Sequence, residues 1–422
     1  MQYSQALDEL KNLVYKGENI QKICDTIIST AVIGWASDIH VEPLSSFVRL
    51  RYRIDGELRE ILEYQSFMHT WVIARFKILS ELKIDEARKP QDGRISKTLD
   101  DKPLDLRVST LPTVHGEKIV MRIVDKSKKI PELSQLWIEG HNLRLLNKAI
   151  ALPNGVMLTS GPTGSGKSTT LYSILTILNE PNVNIMTLED PVENQVDGIN
   201  QSQVKPDIWY SFANGLRTAL RQDPDIIMVG EMRDRETVDI AIEASLTGHL
   251  VLSTIHTNNA AETITRILNM GVQPFLIPAS LNLIIAQRLI RRLCPHCKVV
   301  QPTAELDAIT RKNIQNSLSI TPKSELTERV PLDILKGPVF YKPVGCPECD
   351  DTGYKWRVWI YEMLEIGNGV KEMILNGDSA LNINRQAIKD GMISLEQDGI
   401  IKALQWHTSL EEVYKASRTQ SE

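Results

Sequence analysis

Apolar and polar residues alternate along the first part of the chain. After a helix-like amphipathic opening, the clearest alternation covers residues 48–54, VRLRYRI, and weaker strand-like stretches cover residues 104–109 and 118–124. A period of two is typical of strands that bury one face and expose the other. The pattern therefore predicts a small α+β domain over residues 1–125.

From about residue 136 the apolar residues form short continuous runs instead. Continuous apolarity in a short strand predicts burial on both faces, which is typical of a mainly parallel sheet covered by helices. The predicted strands are 156–160, 184–189, 226–229 and 250–255, and the predicted helices are about 167–179, 208–221, 234–247 and 260–270. This order predicts a doubly wound α/β domain.

A charged run with a proline separates the two patterns, and the hydrophobic periodicity changes again at two cysteine pairs. The segment between the cysteine pairs has no strong period, whereas the tail returns to a helical pattern. The predicted segments are an N-terminal α+β domain (1–125), a linker (126–135), an α/β core (136–292), a cysteine-containing subdomain (293–360) and a C-terminal helical region (361–422).

The composition is that of a globular chain. Its 422 residues are 42% hydrophobic and 24% charged, which provides apolar material for two or three cores and excludes a disordered chain. Lys and Arg total 48 against 53 Asp and Glu, so the net charge of −5 disfavours general polyanion binding. No apolar run reaches the roughly 18 residues of a membrane span, and residues 1–20 lack a signal-peptide pattern. We therefore expect a soluble, cytoplasmic protein.

One segment matches the pattern of a phosphate-binding loop, G-x-x-x-x-G-K-[ST], between a predicted strand and a predicted helix. The segment consists of Gly161, Pro162, Thr163, Gly164, Ser165, Gly166, Lys167, Ser168 and Thr169. Its glycines let backbone N–H groups surround phosphate oxygens at a helix N-terminus. We expect Lys167 to contact the β- and γ-phosphates and Ser168 to ligate Mg²⁺. The sequence thus predicts bound ATP or a similar nucleotide; a chance glycine-rich turn is the alternative.

Hydrolysis also needs a carboxylate that positions water near the γ-phosphate. The strand 226–229 is followed by Gly230 and Glu231, so Glu231 is the candidate general base at the carboxyl edge of the sheet. The acid that usually precedes this residue is absent. Glu189, at the end of another predicted strand, could supply the missing charge of the metal shell, although the turn beginning at Asp190 could instead cap a helix.

Two histidines flank the predicted strand 250–255, His249 before it and His256 after it. A single histidine near a strand end is more often a structural hydrogen-bonding group. Two of them beside a nucleotide site favour a role for at least one, and we expect His256 to sense the γ-phosphate.

Four of the five cysteines occur as two C-x-x-C pairs, Cys294 with Cys297 and Cys346 with Cys349. Four thiolates in two tight turns have the form of a structural Zn²⁺ site. The segment between the pairs exceeds the common zinc-ribbon spacing, so a metal would close a sizeable loop. A redox pair is the alternative, and Cys24 is expected to be a buried small hydrophobe.

Together these features resemble the secretion ATPases of type II secretion and type IV pilus assembly, the GspE/PilB type. The resemblance implies a RecA-like P-loop NTPase domain after a PAS-like N-terminal domain, a tetracysteine zinc subdomain and a ring of six subunits. It also implies ATP hydrolysis that drives pilin or pseudopilin assembly, and peripheral association with the inner membrane through a platform protein. Besides the phosphate loop, it rests on the blocks 36–43, 48–56, 91–94, 106–112, 187–193, 220–234 and 247–258.

The resemblance also implies roles for single residues. Glu231 corresponds to the acidic Walker B residue, which a glycine precedes in this family. Arg94 and Arg107 look like the N-terminal-domain arginines that reach the nucleotide phosphates when the domains close; taken alone, both are strand-surface charges. The cysteine pairs are similar to those of assembly motors rather than retraction motors. Trp356 and Trp359 stand where the family often has glycines, which predicts a locally remodelled surface.

Other classes of function stay open. A nucleic-acid-translocating or conjugation-type P-loop ATPase would use the same core, but the acidic balance and the lack of a basic, aromatic single-strand platform count against a nucleic-acid partner. A zinc-containing scaffold that binds ATP as an assembly switch, and a small-molecule kinase, are further alternatives. We expect a hexameric motor that uses ATP and Mg²⁺.

Overall fold

The computed structural model describes residues 3–17, 19–99, 102–125 and 129–418. The chain forms two compact units, Met1–Lys129 and Ile130–Glu422. Residues 126–128 of the predicted linker lie outside the described part. Among the described residues, no helix combines the length and apolarity needed to cross a bilayer.

The first unit is an antiparallel sheet with helices packed on one face. Its elements are α1 (Tyr3–Lys16), α2 (Ile20–Ile33), β1 (Ala36–Pro43), β2 (Phe47–Ile54), β3 (Glu57–Gln65), α3 (His69–Leu79), β4 (Gln91–Leu99), β5 (Lys102–Thr113) and β6 (Gly116–Asp125). The strands lie in the order β3-β2-β1-β6-β5-β4. Alternate residues of β2 join the apolar core with the helices, and its arginines point to the other face. The predicted α+β architecture and the strand at 48–54 are confirmed.

The second unit contains a seven-stranded sheet with helices on both faces. Its elements are α4 (Gly140–Ile150), β7 (Gly155–Ser160), α5 (Lys167–Leu178), β8 (Ile185–Glu189), β9 (Asn200–Gln203), α6 (Phe212–Ala219), β10 (Ile226–Val229), α7 (Arg235–Leu246), β11 (Leu250–Ile255), α8 (Ala260–Asn269), α9 (Leu276–Ser280), β12 (Leu281–Leu293), β13 (Val299–Pro302), α10 (Ala308–Ile320), α11 (Lys323–Arg329), α12 (Leu332–Lys336), β14 (Val339–Lys342), β15 (Tyr354–Glu365), α13 (Asn368–Asn376), α14 (Ala380–Lys389), α15 (Leu395–Leu404) and α16 (Leu410–Arg418).

The main sheet has the order β15-β12-β7-β11-β10-β8-β9, and each pair of neighbours is parallel except β12 with β15. Consecutive residues of β7 enter different cores: Val156 and Leu158 pack in one apolar cluster, whereas Met157 packs in the other. Continuous apolarity therefore reflects burial on both faces. The predicted mainly parallel α/β fold is confirmed.

Three details differ from the sequence pattern. Helix α6 begins at Phe212, after a turn in which Trp209 has a left-handed φ of 61°. The segment between the cysteine pairs contains α10, α11 and α12, whose polar sequences give little periodicity because few of their residues are buried. Strand β15 runs across the boundary predicted at residue 360 and joins the main sheet, because its side chains enter three different apolar clusters.

Candidate functional site

The phosphate loop lies between β7, which is buried along its whole length, and the first turn of α5. Gly161, Gly164 and Gly166 have φ values of 143°, 79° and 87°, a region that side chains other than glycine's rarely adopt. A Cβ on Gly161 would lie 2.6 Å from the backbone oxygen of Gln287. The glycines therefore allow the tight curl that the motif predicts.

Lys167 turns back into the loop. Its Nζ donates to the backbone oxygens of Gly161 and Pro162, at 2.8 and 3.2 Å. Burial lowers the pKa of Lys167 to about 8; the Glu231 carboxylate opposes this shift and the Arg288 guanidinium adds to it. The charged amine is thus held inside the loop by acceptors that phosphate oxygens could replace.

Glu231 follows β10 at the carboxyl edge of the sheet, and only 12% of its side chain is exposed. Arg233 Nη2 lies 2.5 Å from one carboxylate oxygen, and His256 Nε2 lies 3.9 Å from the other. Burial and the charge of Lys167 lower the pKa of His256, and Glu231 opposes the shift. His256 is therefore neutral near pH 7, and Glu231, Lys167 and His256 share one electrostatic neighbourhood.

Glu189 is buried at the end of β8 and already engages protein donors. One carboxylate oxygen accepts from Thr187 Oγ1 at 2.5 Å and Gln201 Nε2 at 3.0 Å, and the other accepts from the Tyr172 hydroxyl. Tyr172 belongs to α5, which begins at the phosphate loop. The carboxylate therefore ties α5 to the neighbouring strands.

The structure separates the two histidines. His249 lies before β11, where its Nδ1 is 2.9 Å from the backbone oxygen of Ala244, whereas His256 follows the same strand. Seven residue steps at about 3.3 Å each put roughly 23 Å between them. Only His256 lies beside the phosphate loop; a cleft of about 400 Å³ runs from Gly161 past His256 to Arg266 on α8.

Three residues near the loop were not anticipated: Arg233, Arg266 and Gln287. Gln287 lies on β12, fully buried, and its Nε2 donates to the backbone oxygen of Ser165 at 2.8 Å. A buried polar residue inside an otherwise apolar strand was the available signal, because such groups are normally paired. The two arginines carry no comparable signal, since exposed arginines on helices and loops are common.

In the first unit, three arginines form a row across the polar face of the sheet. Arg94 of β4 pairs with Arg107 of β5, which pairs with Arg122 of β6, and directly opposed residues share a face. Arg94 forms an ion pair with Asp105, and Arg122 Nε donates to Asp38 at 3.0 Å. Among the described residues, Arg107 has no ion-pair partner. Strand register thus joins the two predicted arginines and adds Arg122.

The four paired cysteines converge, and their sulfur atoms all lie within 4.8 Å of one another. The separations are 3.8 Å for Cys294 and Cys346, 3.7 Å for Cys297 and Cys349, and 3.7 Å within the second pair. Thiolates about 2.3 Å from a tetrahedral Zn²⁺ stand about 3.8 Å apart, so the cluster fits zinc. Convergence of both pairs on one point favours a metal over a redox pair.

Backbone donors support this cluster. The N–H groups of Cys346 and Gly353 donate to Cys349 Sγ at 3.3 and 3.2 Å. Burial would raise the pKa of Cys349, but these bonds outweigh it and lower the pKa to about 7. Cys349 therefore forms the thiolate, which is the form that binds metal, more readily than an ordinary cysteine, whereas burial raises the pKa of Cys294, Cys297 and Cys346.

A phosphate loop at the carboxyl edge of a mainly parallel sheet, with a largely buried acid that follows another strand at the same edge, defines a P-loop ATPase of the RecA-like type. The model of the Type II/IV secretion system protein family matches residues 15–415. The chain belongs to this family of secretion and pilus-assembly ATPases.

Individual proteins that are similar to this chain support the same family assignment. The type IV pilus assembly ATPase PilB of Myxococcus xanthus is 46% identical over 395 residues, which cover 93% of this chain and 67% of that protein. Type II secretion system protein E of Aeromonas hydrophila is 42% identical over 399 residues, 94% of this chain and 76% of that protein. The ADP-bound pilus retraction motor PilT superposes with a TM-score of 0.58 at 26% identity, covering 93% of this chain and 96% of that one. The Legionella pneumophila ATPase DotB, at 23% identity, shares the fold with a TM-score of 0.65, covering 94% and 95%.

Proposed function

We propose that this protein is a hexameric motor whose ATP hydrolysis powers assembly of a type IV pilus or a secretion pseudopilus. The arrangement of Glu231 beside Lys167 and His256 carries the proposal, because a site that only bound nucleotide would need no largely buried carboxylate near the γ-phosphate position. Relatives at 46% and 42% identity are named for pilus assembly and type II secretion.

Binding begins with an exchange of partners at Lys167. Its Nζ leaves the backbone oxygens of Gly161 and Pro162 and takes up phosphate oxygens, while the backbone N–H groups from Gly164 to Thr169 surround the phosphates. The Ser168 hydroxyl would hold Mg²⁺, which would supply positive charge that neutralises the phosphate oxygens.

Hydrolysis then depends on Glu231. Its carboxylate must turn from Arg233 toward the attacking water, accept a hydrogen bond and orient the water in line with the γ-phosphate. We propose that neutral His256, which lines the same cleft as Gly161 and whose Nε2 lies 3.9 Å from a Glu231 oxygen, senses the γ-phosphate. We propose that Glu189 acts through Tyr172, holding α5 and the loop in place rather than touching the metal directly.

Coupling requires the first unit. We propose that Arg94 and Arg107 reach the phosphates of a nucleotide that is bound by the second compact unit when the ring closes. Their guanidinium groups would then stabilise the negative charge that develops on the phosphates during hydrolysis. In this proposal a platform protein of the inner membrane receives the motion, and the ring attaches peripherally to that membrane from the cytoplasm. The cysteine cluster would hold Zn²⁺ as a structural ion.

Turnover of Glu231→Gln tests the proposal. We expect ATP hydrolysis to fall at least about a hundredfold, because the amide cannot accept the water's proton, while nucleotide affinity changes little. Glu236→Gln is the matched control, since Glu236 is an exposed acid on α7 that pairs with Arg217. Phosphate release and ADP affinity would be measured on the full chain with Mg²⁺. Wild-type turnover in Glu231→Gln would refute the general-base assignment.

A further inference from the structure

Trp359 on β15 lies against the phosphate loop. A Cβ on Gly166 would lie 2.4 Å from the indole Nε1 and 3.1 Å from Cε2, so the nitrogen edge of the ring touches this glycine. The side chain also packs against the apolar cluster that contains Leu171 and Leu175 of α5. By contrast, Trp356, three residues earlier on the strand, is 54% exposed. Trp359 is therefore part of the loop's wall, whereas Trp356 belongs to the surface.

The indole nitrogen is a buried donor that lacks an acceptor among the described residues. An indole N–H can only donate, and a buried donor left unpaired destabilises the protein. Two further buried atoms at the loop, Ser165 Oγ and Gln287 Oε1, likewise have no partner in the described structure. Since more than nine-tenths of buried polar groups are normally paired, an unpaired indole N–H in contact with Gly166 indicates that a ligand of the loop supplies its acceptor.

The chemistry of the loop identifies the missing acceptor. Its backbone points N–H groups inward, Lys167 contributes a cation, and α5 adds the positive end of its dipole, so the local potential favours an anionic oxygen. We propose that Trp359 is a nucleotide-binding residue whose Nε1–H donates to a phosphate oxygen of the bound nucleotide. This inference rests on the phosphate loop being the nucleotide site of the proposed motor.

Removal of the donor without removal of the ring tests the inference. Trp359→Phe keeps an aromatic ring against the apolar cluster but lacks the N–H group, so we expect ADP to bind about tenfold more weakly, as loss of a hydrogen bond to a charged acceptor predicts. Trp356→Phe is the matched control on the same strand and should bind ADP within twofold of wild type. ADP affinity would be measured by titration calorimetry on the full chain with Mg²⁺, and melting temperatures would establish that each variant is folded.

A spectroscopic readout separates contact with the nucleotide from a purely structural role. We expect ADP to change the tryptophan fluorescence of wild type and Trp356→Phe, and most of that change to disappear in Trp359→Phe. If Trp359→Phe does not fold, Trp359→Leu, whose side chain also has no hydrogen-bond donor, takes its place. Wild-type affinity together with an undiminished fluorescence change would overturn the inference.

The Lys167→Ala variant, titrated with ADP in the same way, shows whether a negative result refutes only the role of Trp359 or also the assignment of the loop as the nucleotide site. If Lys167→Ala loses ADP binding while Trp359→Phe retains it, the loop is the nucleotide site and only the role of Trp359 is refuted. If Lys167→Ala binds ADP like wild type, the loop is not the site, and both the proposed motor mechanism and the role of Trp359 fall.

Discussion

Lys167 shows how the nucleotide site combines burial with charge. The amine is nine-tenths buried, yet two backbone oxygens of the loop, from Gly161 and Pro162, satisfy it. Burial disfavours the charged form and lowers the pKa to about 8. Because phosphates require the charged amine, proton release from Lys167 competes with nucleotide binding at a pH that experiments can reach.

We predict that ADP affinity falls as the pH rises through 8. Below this value Lys167 is protonated and binds the phosphates; above it the free protein holds a neutral amine, and recharging it costs binding free energy. At pH 9 ADP should bind about tenfold more weakly than at pH 7, as a pKa of about 8 in the free protein requires. Calorimetric titrations in steps of half a pH unit would measure the effect.

Lys167→Ala is the control for this dependence. It should bind ADP weakly at every pH, without a step near pH 8, since no amine remains to titrate. An equally steep dependence in Lys167→Ala would assign the effect to another group and contradict the prediction.

At the scale of elements, the edge of the main sheet is supported by a buried ion-pair network. Asp398 of α15 accepts from the Tyr361 N–H of β15 at 2.8 Å and from Lys402 Nζ at 2.7 Å, and Arg329 of α11 lies 2.8 Å from its other oxygen. Burial opposes ionisation of Asp398, but Lys402 and Arg329 outweigh it and lower its pKa. The network therefore joins three elements through one charged carboxylate.

Asp398→Asn should destabilise the second unit by about 3–5 kcal/mol, because it leaves two buried cations without their shared anion. Denaturant unfolding followed by circular dichroism would measure the change. Asp390→Asn is the control, because Asp390 is an exposed residue directly after α14 that accepts a hydrogen bond from Gln386. This substitution should change the free energy of unfolding by no more than about 0.5 kcal/mol. Equal stability of Asp398→Asn and wild type would show that the network is not stabilising.

The cysteine cluster is the second feature that joins separate elements of the second unit. We predict one zinc ion per purified chain, lost in Cys346→Ser, because removal of one thiolate breaks the four-sulfur set. Elemental analysis measures the zinc content, and the melting temperature reports the loss of stability. Cys24→Ala is the control, since Cys24 lies in the apolar core of the first unit. Full zinc content in Cys346→Ser would refute a four-cysteine site.

At the scale of the whole molecule, the residues that we propose act in hydrolysis are divided between the two compact units. The phosphate loop and Glu231 belong to the second unit, whereas Arg107 belongs to the first. A motor that supplies its arginine from a separate unit can couple hydrolysis to the closure of the two units. The ring proposed above provides the setting for this coupling.

Arg107→Ala should therefore lower ATP turnover at least about tenfold while ADP affinity stays within twofold, because the arginine acts on the charge of the transition state. Arg88→Ala is the matched control, since Arg88 is an exposed arginine of the same unit that forms an ion pair with Glu86. Light scattering with ATP and Mg²⁺ would also measure the mass of the assembly. Normal turnover in Arg107→Ala would contradict the coupling, and a monomeric mass would contradict the ring.

Much of the fold followed from local patterns. The alternation over residues 48–54 and the continuous apolar runs predicted β2, β7, β10 and β11. These predictions were possible because the spacing of apolar residues along a strand depends on which of its faces are buried. The phosphate-loop motif and the two cysteine pairs could also be recognised in the sequence, because their chemistry needs particular residue types at short, regular spacing.

Contacts between distant segments were decided only by tertiary structure. Pairing of β15 with β12 brings Trp359 and Gln287 to a loop more than a hundred residues earlier in the chain. Strand register, not spacing, aligns Arg94, Arg107 and Arg122. Local periodicity records whether a residue is buried but not which residue it meets, because that choice depends on how whole strands and helices pack.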